Sequence, residues 1–143
     1  MSSINPQLKV LMNLFRIQAM MSRRFDRLTM HGIGFNEFLI LYLLYEAPEE
    51  KMRPTDLAER TGLTASGVTR MLLPMEKIGL IGRQAGDRDA RVSLVVITAA
   101  GKRIYEEAIG TANYIAKEIV PAEYGKNNHP LVGFLKSLGG NLE

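Results

Sequence analysis

Pro54-Thr-Asp-Leu-Ala-Glu-Arg-Thr61, Gly62-Leu-Thr64 and Ala65-Ser-Gly-Val-Thr-Arg-Met-Leu-Leu-Pro-Met-Glu-Lys-Ile78, closed by Gly79, follow one another without interruption. The first run opens on a proline at a first helical position, carries acids in or near its first turn and stops at a glycine. Thr64 has the residue type and place of an N-cap for the second run, and Gly79 ends it. Two helices joined by a short glycine-containing turn read as a helix-turn-helix. Leu57, Ala58, Leu63, Val68, Met71, Leu72 and Met75 recur at helical spacing and are expected to face inward. Ser66, Gly67, Thr69 and Arg70, with Thr64, are left outward near the start of the second helix. That is the end a recognition helix presents to base edges in a major groove.

Downstream, Ile81-Gly-Arg-Gln84 is a short strand candidate, and Val92-Ser-Leu-Val-Val-Ile97, rich in β-branched residues, is a stronger one. The loop between them, Ala85-Gly-Asp-Arg-Asp-Ala-Arg91, offers Arg88 and Arg91 to phosphates or to a narrow minor groove. Asp87 and Asp89 are expected to orient those arginines, since two carboxylates are too few to hold calcium. Helix, turn, helix, hairpin, helix is the plan of a winged helix-turn-helix, so double-stranded DNA is the first partner to consider.

The runs Asp87-Arg-Asp-x-Arg91 and Val95-x-Ile-Thr-x-x-Gly101, preceded by Ser66-x-Val-Thr-Arg70 and Lys77-x-Gly-Leu80, resemble the MarR family of transcriptional regulators, and the likeness spans roughly Pro6 to Ile119. The resemblance implies a homodimer built by the first and last helices, one winged helix per subunit, and a small-molecule pocket between the two regions, often for aromatic or phenolic compounds. It also implies a repressor that an effector releases from a pseudo-palindromic operator. Leu73 and Pro74 depart from the family pattern. So does Arg53, which replaces a capping Ser or Thr and is assigned, with Thr55, to phosphate contact.

The expected fold is mainly α with a small β-hairpin wing, as one domain over 1–143. Residues 1–32 and 104–143 would supply the dimerisation helices and 35–101 the winged lobe. A chain of 143 residues with 46% hydrophobic content can bury one core. Its net charge of +3 is uneven, with nine Lys and Arg against five Asp and Glu from Arg53 to Arg103, and three against five beyond. The positive surplus therefore falls on the lobe expected to meet phosphate. The absence of cysteine excludes disulfides, thiol-based sensing and Cys-ligated zinc. No apolar run approaches membrane-spanning length and no signal pattern opens the chain, so a cytoplasmic location is expected.

Asn5-Pro6 begins an amphipathic pattern through Leu8, Leu11, Phe15, Ile17, Met21, Phe25 and Leu28 that predicts one long helix to near Gly32. Phe35 to Glu46 is apolar enough to be the buried centre. Thr98 caps a long helix to about Val120, whose Ala108, Gly110, Ala112 and Ala116 suit close packing, and Pro130 to Leu138 forms the last helix. These flanking helices exceed what one lobe needs to cover itself, which points to helix-mediated pairing. The methionines at 12, 20, 21 and 30 read as core or interface, and His31 as a helix-terminal residue. Pro74 removes a donor to Arg70 inside the second helix of the motif and is expected to kink it. No nucleophile elbow, phosphate loop or cofactor motif is present, so the chain reads as a non-enzymatic regulator without a cofactor or metal. The alternative is a winged helix retained for protein interaction or dimerisation that no longer reads DNA.

Overall fold

The structure, a computed structural model, describes residues 3–142, so the extreme ends of the expected 1–143 domain lie outside the described residues. Asn5 caps the first helix, α1 (Pro6–Arg24), by accepting a bond from Leu8 N at 2.7 Å. This helix does not continue to Gly32 as its pattern predicts. It tightens at Phe25 into a 3-10 segment, Phe25–His31, that Gly32 closes. The spacing explains the change, because Phe25, Leu28 and His31 are three apart and a three-residue turn brings them to one side. Leu28 is there fully buried, Phe25 packs its ring 4.6 Å from that of Phe35, and His31 Nε2 lies 2.8 Å from Thr111 Oγ1.

The second helix, α2 (Phe35–Glu46), begins where the Glu37 carboxylate accepts from Gly34 N at 3.0 Å. Ile40, Leu41, Leu43 and Leu44 are buried, which makes α2 the centre of the subunit, as its apolar run requires. After Pro48 the chain turns through Glu49 and Glu50, both with positive φ, into β1 (Lys51–Met52). Then come α3 (Pro54–Thr61) and α4 (Ala65–Lys77), separated by Gly62 at φ 75°, a backbone angle that favours glycine. Leu57, Val68, Leu72 and Met75 join the core from these two helices, while Ala58, Leu63 and Met71 are half-buried against it. Pro74 does not end α4, which runs on to Lys77 with Ile78 N bonded to the Pro74 carbonyl at 3.1 Å.

Strands β2 (Ile81–Ala85) and β3 (Ser93–Ile97) form the expected hairpin, but the sheet has three antiparallel strands in the order β1-β3-β2. Met52 and Arg83 flank Val95 from its two sides. A strand of two residues shows no alternation, so β1 leaves no mark in the sequence. Helix α5 (Ala99–Ile119) follows, then α6 (Pro130–Ser137). Ala108 and Ala112 of α5 are buried in close packing, whereas Gly110 and Ala116, expected to share that role, are exposed.

Candidate nucleic-acid interface

The N-terminus of α4 is built by Thr64, whose hydroxyl accepts from Gly67 N at 3.0 Å. A side chain at 67 would crowd that hydroxyl, since an added Cβ would lie 3.0 Å from Thr64 Oγ1. Ser66 Oγ sits 3.3 Å from the same oxygen, and Thr69 Oγ1 donates back to the Ala65 carbonyl at 3.0 Å. With Val68, Leu72 and Met75 turned into the core, Thr64, Ser66, Thr69 and Arg70 stand exposed on the opposite side, and Gly67 is half-exposed. The Arg70 guanidinium has no hydrogen-bond or ion-pair partner among the described residues, so its donors remain available. Farther along the same helix Leu73 is exposed, and the outward surface turns apolar there.

At the start of α3, Arg53 occupies the N-cap position without a side-chain capping bond, and Thr55 is exposed one residue into the helix. The positive charge of Arg53 helps to lower the pKa of the Asp89 carboxylate in the wing loop. Within the loop, Gly86 N bonds to the Val92 carbonyl at 2.8 Å and Val92 N to that of Asp89 at 3.1 Å. Asp89 grips Arg91 through three bonds, from Nε at 3.1 Å, from the second guanidinium nitrogen at 3.2 Å and from the backbone N at 3.0 Å. These bonds, the side-chain ones first, hold the Asp89 carboxyl below its usual range, with a smaller contribution from Arg53. The Arg91 side chain is 91% exposed despite the grip, so its outer edge faces solvent. Arg88 is exposed and has no partner among the described residues.

Asp87 makes no direct bond to an arginine among the described residues, unlike Asp89 and contrary to the sequence expectation. Its carboxylate lies 3.7 Å from Lys51 Nζ, on the strand the sequence did not reveal. Two more ion pairs brace the assembly. Arg83 of β2 meets Glu76 of α4 at 3.6 Å, and Lys102 of α5 meets Glu50 at 2.7 Å. Both oxygens of Glu50 face that ammonium, and Oε2, shielded from water, has no other partner among the described residues. None of these pairings carries a sequence signature, because the partners are 7 to 52 residues apart.

A cleft of about 640 Å³ opens between α2, β1 and α3, floored by Tyr42, Leu43, Met52 and Leu94 and rimmed by charged side chains that include Glu46 and Arg53. It lies inside the winged lobe, not between that lobe and the terminal helices where the resemblance places a ligand. Among the described residues no group of three or more His, Asp and Glu is placed to hold a metal, and no helix is long and apolar enough to cross a membrane.

Residues 35–93 match the family model described as MarR family. Over 137 residues the chain is 28% identical to the HTH-type transcriptional repressor YetL of Bacillus subtilis, covering 95% of this chain and 80% of that one. The same fold is found in Sco3205 of Streptomyces coelicolor, a MarR family transcriptional regulator solved in complex with DNA, at 17% identity and a TM-score of 0.73 over 96% of this chain and 88% of that one. It is also found in CouR of Rhodococcus jostii, solved with p-coumaroyl-CoA, at 19% identity and a TM-score of 0.77 over 95% and 93%.

Proposed function

We propose that this chain, a MarR-family transcriptional regulator by its domain match over 35–93, represses transcription as a homodimer on a pseudo-palindromic operator in double-stranded DNA. In this reading α4 enters a major groove with Ser66, Gly67, Thr69 and Arg70 toward base edges, and Thr64 sets the position of the helix end. Arg53 and Thr55 meet phosphates, while Arg88 and Arg91 carry the wing to the backbone or minor groove, with half-sites about 10 base pairs apart. The observation that carries it is the set of donors left on these two elements, above all Arg70 near the capped N-terminus of α4 and Arg88 on the wing, neither with a partner among the described residues. A repressor's name on a relative that aligns with nearly the whole chain supports the sign of regulation. This role belongs to the cytoplasm and needs neither enzymatic activity nor a cofactor.

The deciding experiment is fluorescence anisotropy on the DNA upstream of the protein's own gene, titrated against salt and unrelated competitor DNA, with Arg70→Ala and Arg91→Ala alongside. Selective binding that falls steeply with salt and weakens about ten-fold or more in Arg70→Ala supports the reading. Weak binding, equal on all DNA and indifferent to both arginines, would turn the winged helix into a protein-interaction module. The effector of this reading is a small aromatic or phenolic compound; a phenolic acyl group is part of the p-coumaroyl-CoA with which CouR was solved. It releases DNA by favouring a dimer whose recognition helices no longer match the half-sites. Calorimetry with phenolic acids and their thioesters tests this, and an absence of both binding and any change in operator affinity would sink it.

A further inference from the structure

The wing loop is held by its two aspartates in different ways. Asp89 closes the loop on itself through Arg91, whereas Asp87 reaches out of the hairpin to Lys51. Lys51 is an unusual lysine for so small a protein, its side chain only 14% exposed and its ammonium set between two carboxylates, Glu49 at 3.2 Å and Asp87 at 3.7 Å. The bond to Glu49 first, and the charge of Asp87 after it, hold the Lys51 ammonium above its usual range, against an opposing effect of burial. Its backbone is equally constrained. Lys51 pairs with Val96 of β3, and the turn before it is wound through two left-handed glutamates, with Glu50 anchored to Lys102 of α5. The cation that meets the wing tip is therefore fixed to the body of the subunit from both ends of its strand.

We propose that Lys51 is a positioning residue for the wing, an ammonium clamp that holds Asp87 and so sets the direction in which the loop presents Arg88 and Arg91. The proposal rests on the DNA-binding reading of the wing and adds to it what fixes the wing's pose. A loop oriented before encounter does not lose that freedom on binding, and the saving appears as affinity. The clamp makes no DNA contact of its own. It also makes an unusual prediction of sign. Removing Asp87 takes a negative charge from a DNA-facing loop, which by electrostatics alone strengthens binding. If the clamp is what matters, removing Asp87 weakens it.

The test compares wild type, Lys51→Met, Asp87→Asn, the double variant and Lys51→Arg in two readouts, amide hydrogen exchange of residues 86–92 in the free protein and operator affinity by anisotropy. The expected result is faster exchange in the loop alone in each single variant and no further gain in the double. Affinity falls about five-fold in both single variants, non-additively, and recovers in Lys51→Arg. Unchanged exchange in Lys51→Met, exchange that rises over the whole chain, or tighter binding by Asp87→Asn would overturn the proposal. Because exchange is read without DNA, a wild type that fails to select DNA refutes the function while leaving the clamp to be judged by its own readout.

Discussion

Thr98 and Gly101, three residues apart, explain in atoms why their spacing stands out in the sequence. The Thr98 hydroxyl donates to the Gly79 carbonyl at 2.6 Å and accepts from Gly101 N at 3.0 Å, so one side chain caps α5 and ties it to the glycine that follows α4. Gly101 is buried under the backbone at Leu80. A Cβ there would fall well inside van der Waals distance of the Leu80 carbonyl oxygen and 2.9 Å from Ile97 Cγ1. Backbone cannot yield as a side-chain tip can, so Gly101→Ala is expected to destabilise the protein by about 3 kcal/mol, read by urea denaturation. Asp89 supplies a second prediction. Its folded pKa is depressed, so the stabilisation it gives is complete above the ordinary carboxylate range and is lost only as pH falls through the depressed value. The loop should keep its grip on Arg91 at about pH 5 and through the ordinary carboxylate range, and release it only at more acid pH. In Arg91→Ala, carbon NMR of the Asp89 carboxyl should show its titration moving up toward the ordinary range. The caps at Thr64 and Thr98 were legible because a threonine before a helical pattern has few other uses. Glu49 and Glu50 were not, since glutamate gives no hint of the positive φ both adopt.

Elements were legible where proline and glycine punctuate them. Pro54, Gly62 and Gly79 mark α3 and α4 to within a residue or two, and the β-branched run predicted β3. The pattern failed where tertiary packing chose the geometry. Phe25, Leu28 and His31 fit either an α or a 3-10 period over so short a span, and only their burial against α2 and α5 decides between them. β1 was invisible for a different reason, as its pairing with Val95 and Val96 is its whole identity. Pro74 is the element-scale anomaly. It sits exposed three residues from the end of α4, deprives the Arg70 carbonyl of its helical donor, and the helix persists through it. Replacing it by alanine restores that donor, and Pro74→Ala is expected to stabilise the protein by about 1–3 kcal/mol in the same denaturation assay. A loss of stability instead would mean that the proline fits a bend α4 requires.

Across the whole molecule the described apolar surface is concentrated at the two ends of the chain. No residue of α1 is buried; Phe15 is 74% exposed, and Leu8, Leu11, Met12 and Met20 are exposed beside it. Leu131, Phe134, Leu135 and Leu138 of α6 are exposed as well. In the proposed homodimer these surfaces face a second copy, and Leu11→Glu with Phe15→Glu should give a species of 16.0 kDa by sedimentation while the winged lobe keeps its fold. Wild type already sedimenting at that mass would refute the pairing. A 19-residue helix with no buried residue, tied to α5 by the Arg24–Glu118 pair at 3.7 Å, is marginal by itself in water, so its order becomes a matter of mass action. At low abundance α1 would open, and Lys9, Arg16, Arg23 and Arg24 along it would become sites for a trypsin-like protease. The survival time of each newly made chain would then depend on how soon it met another, and the cell would hold either a working stock of this protein or very little of it.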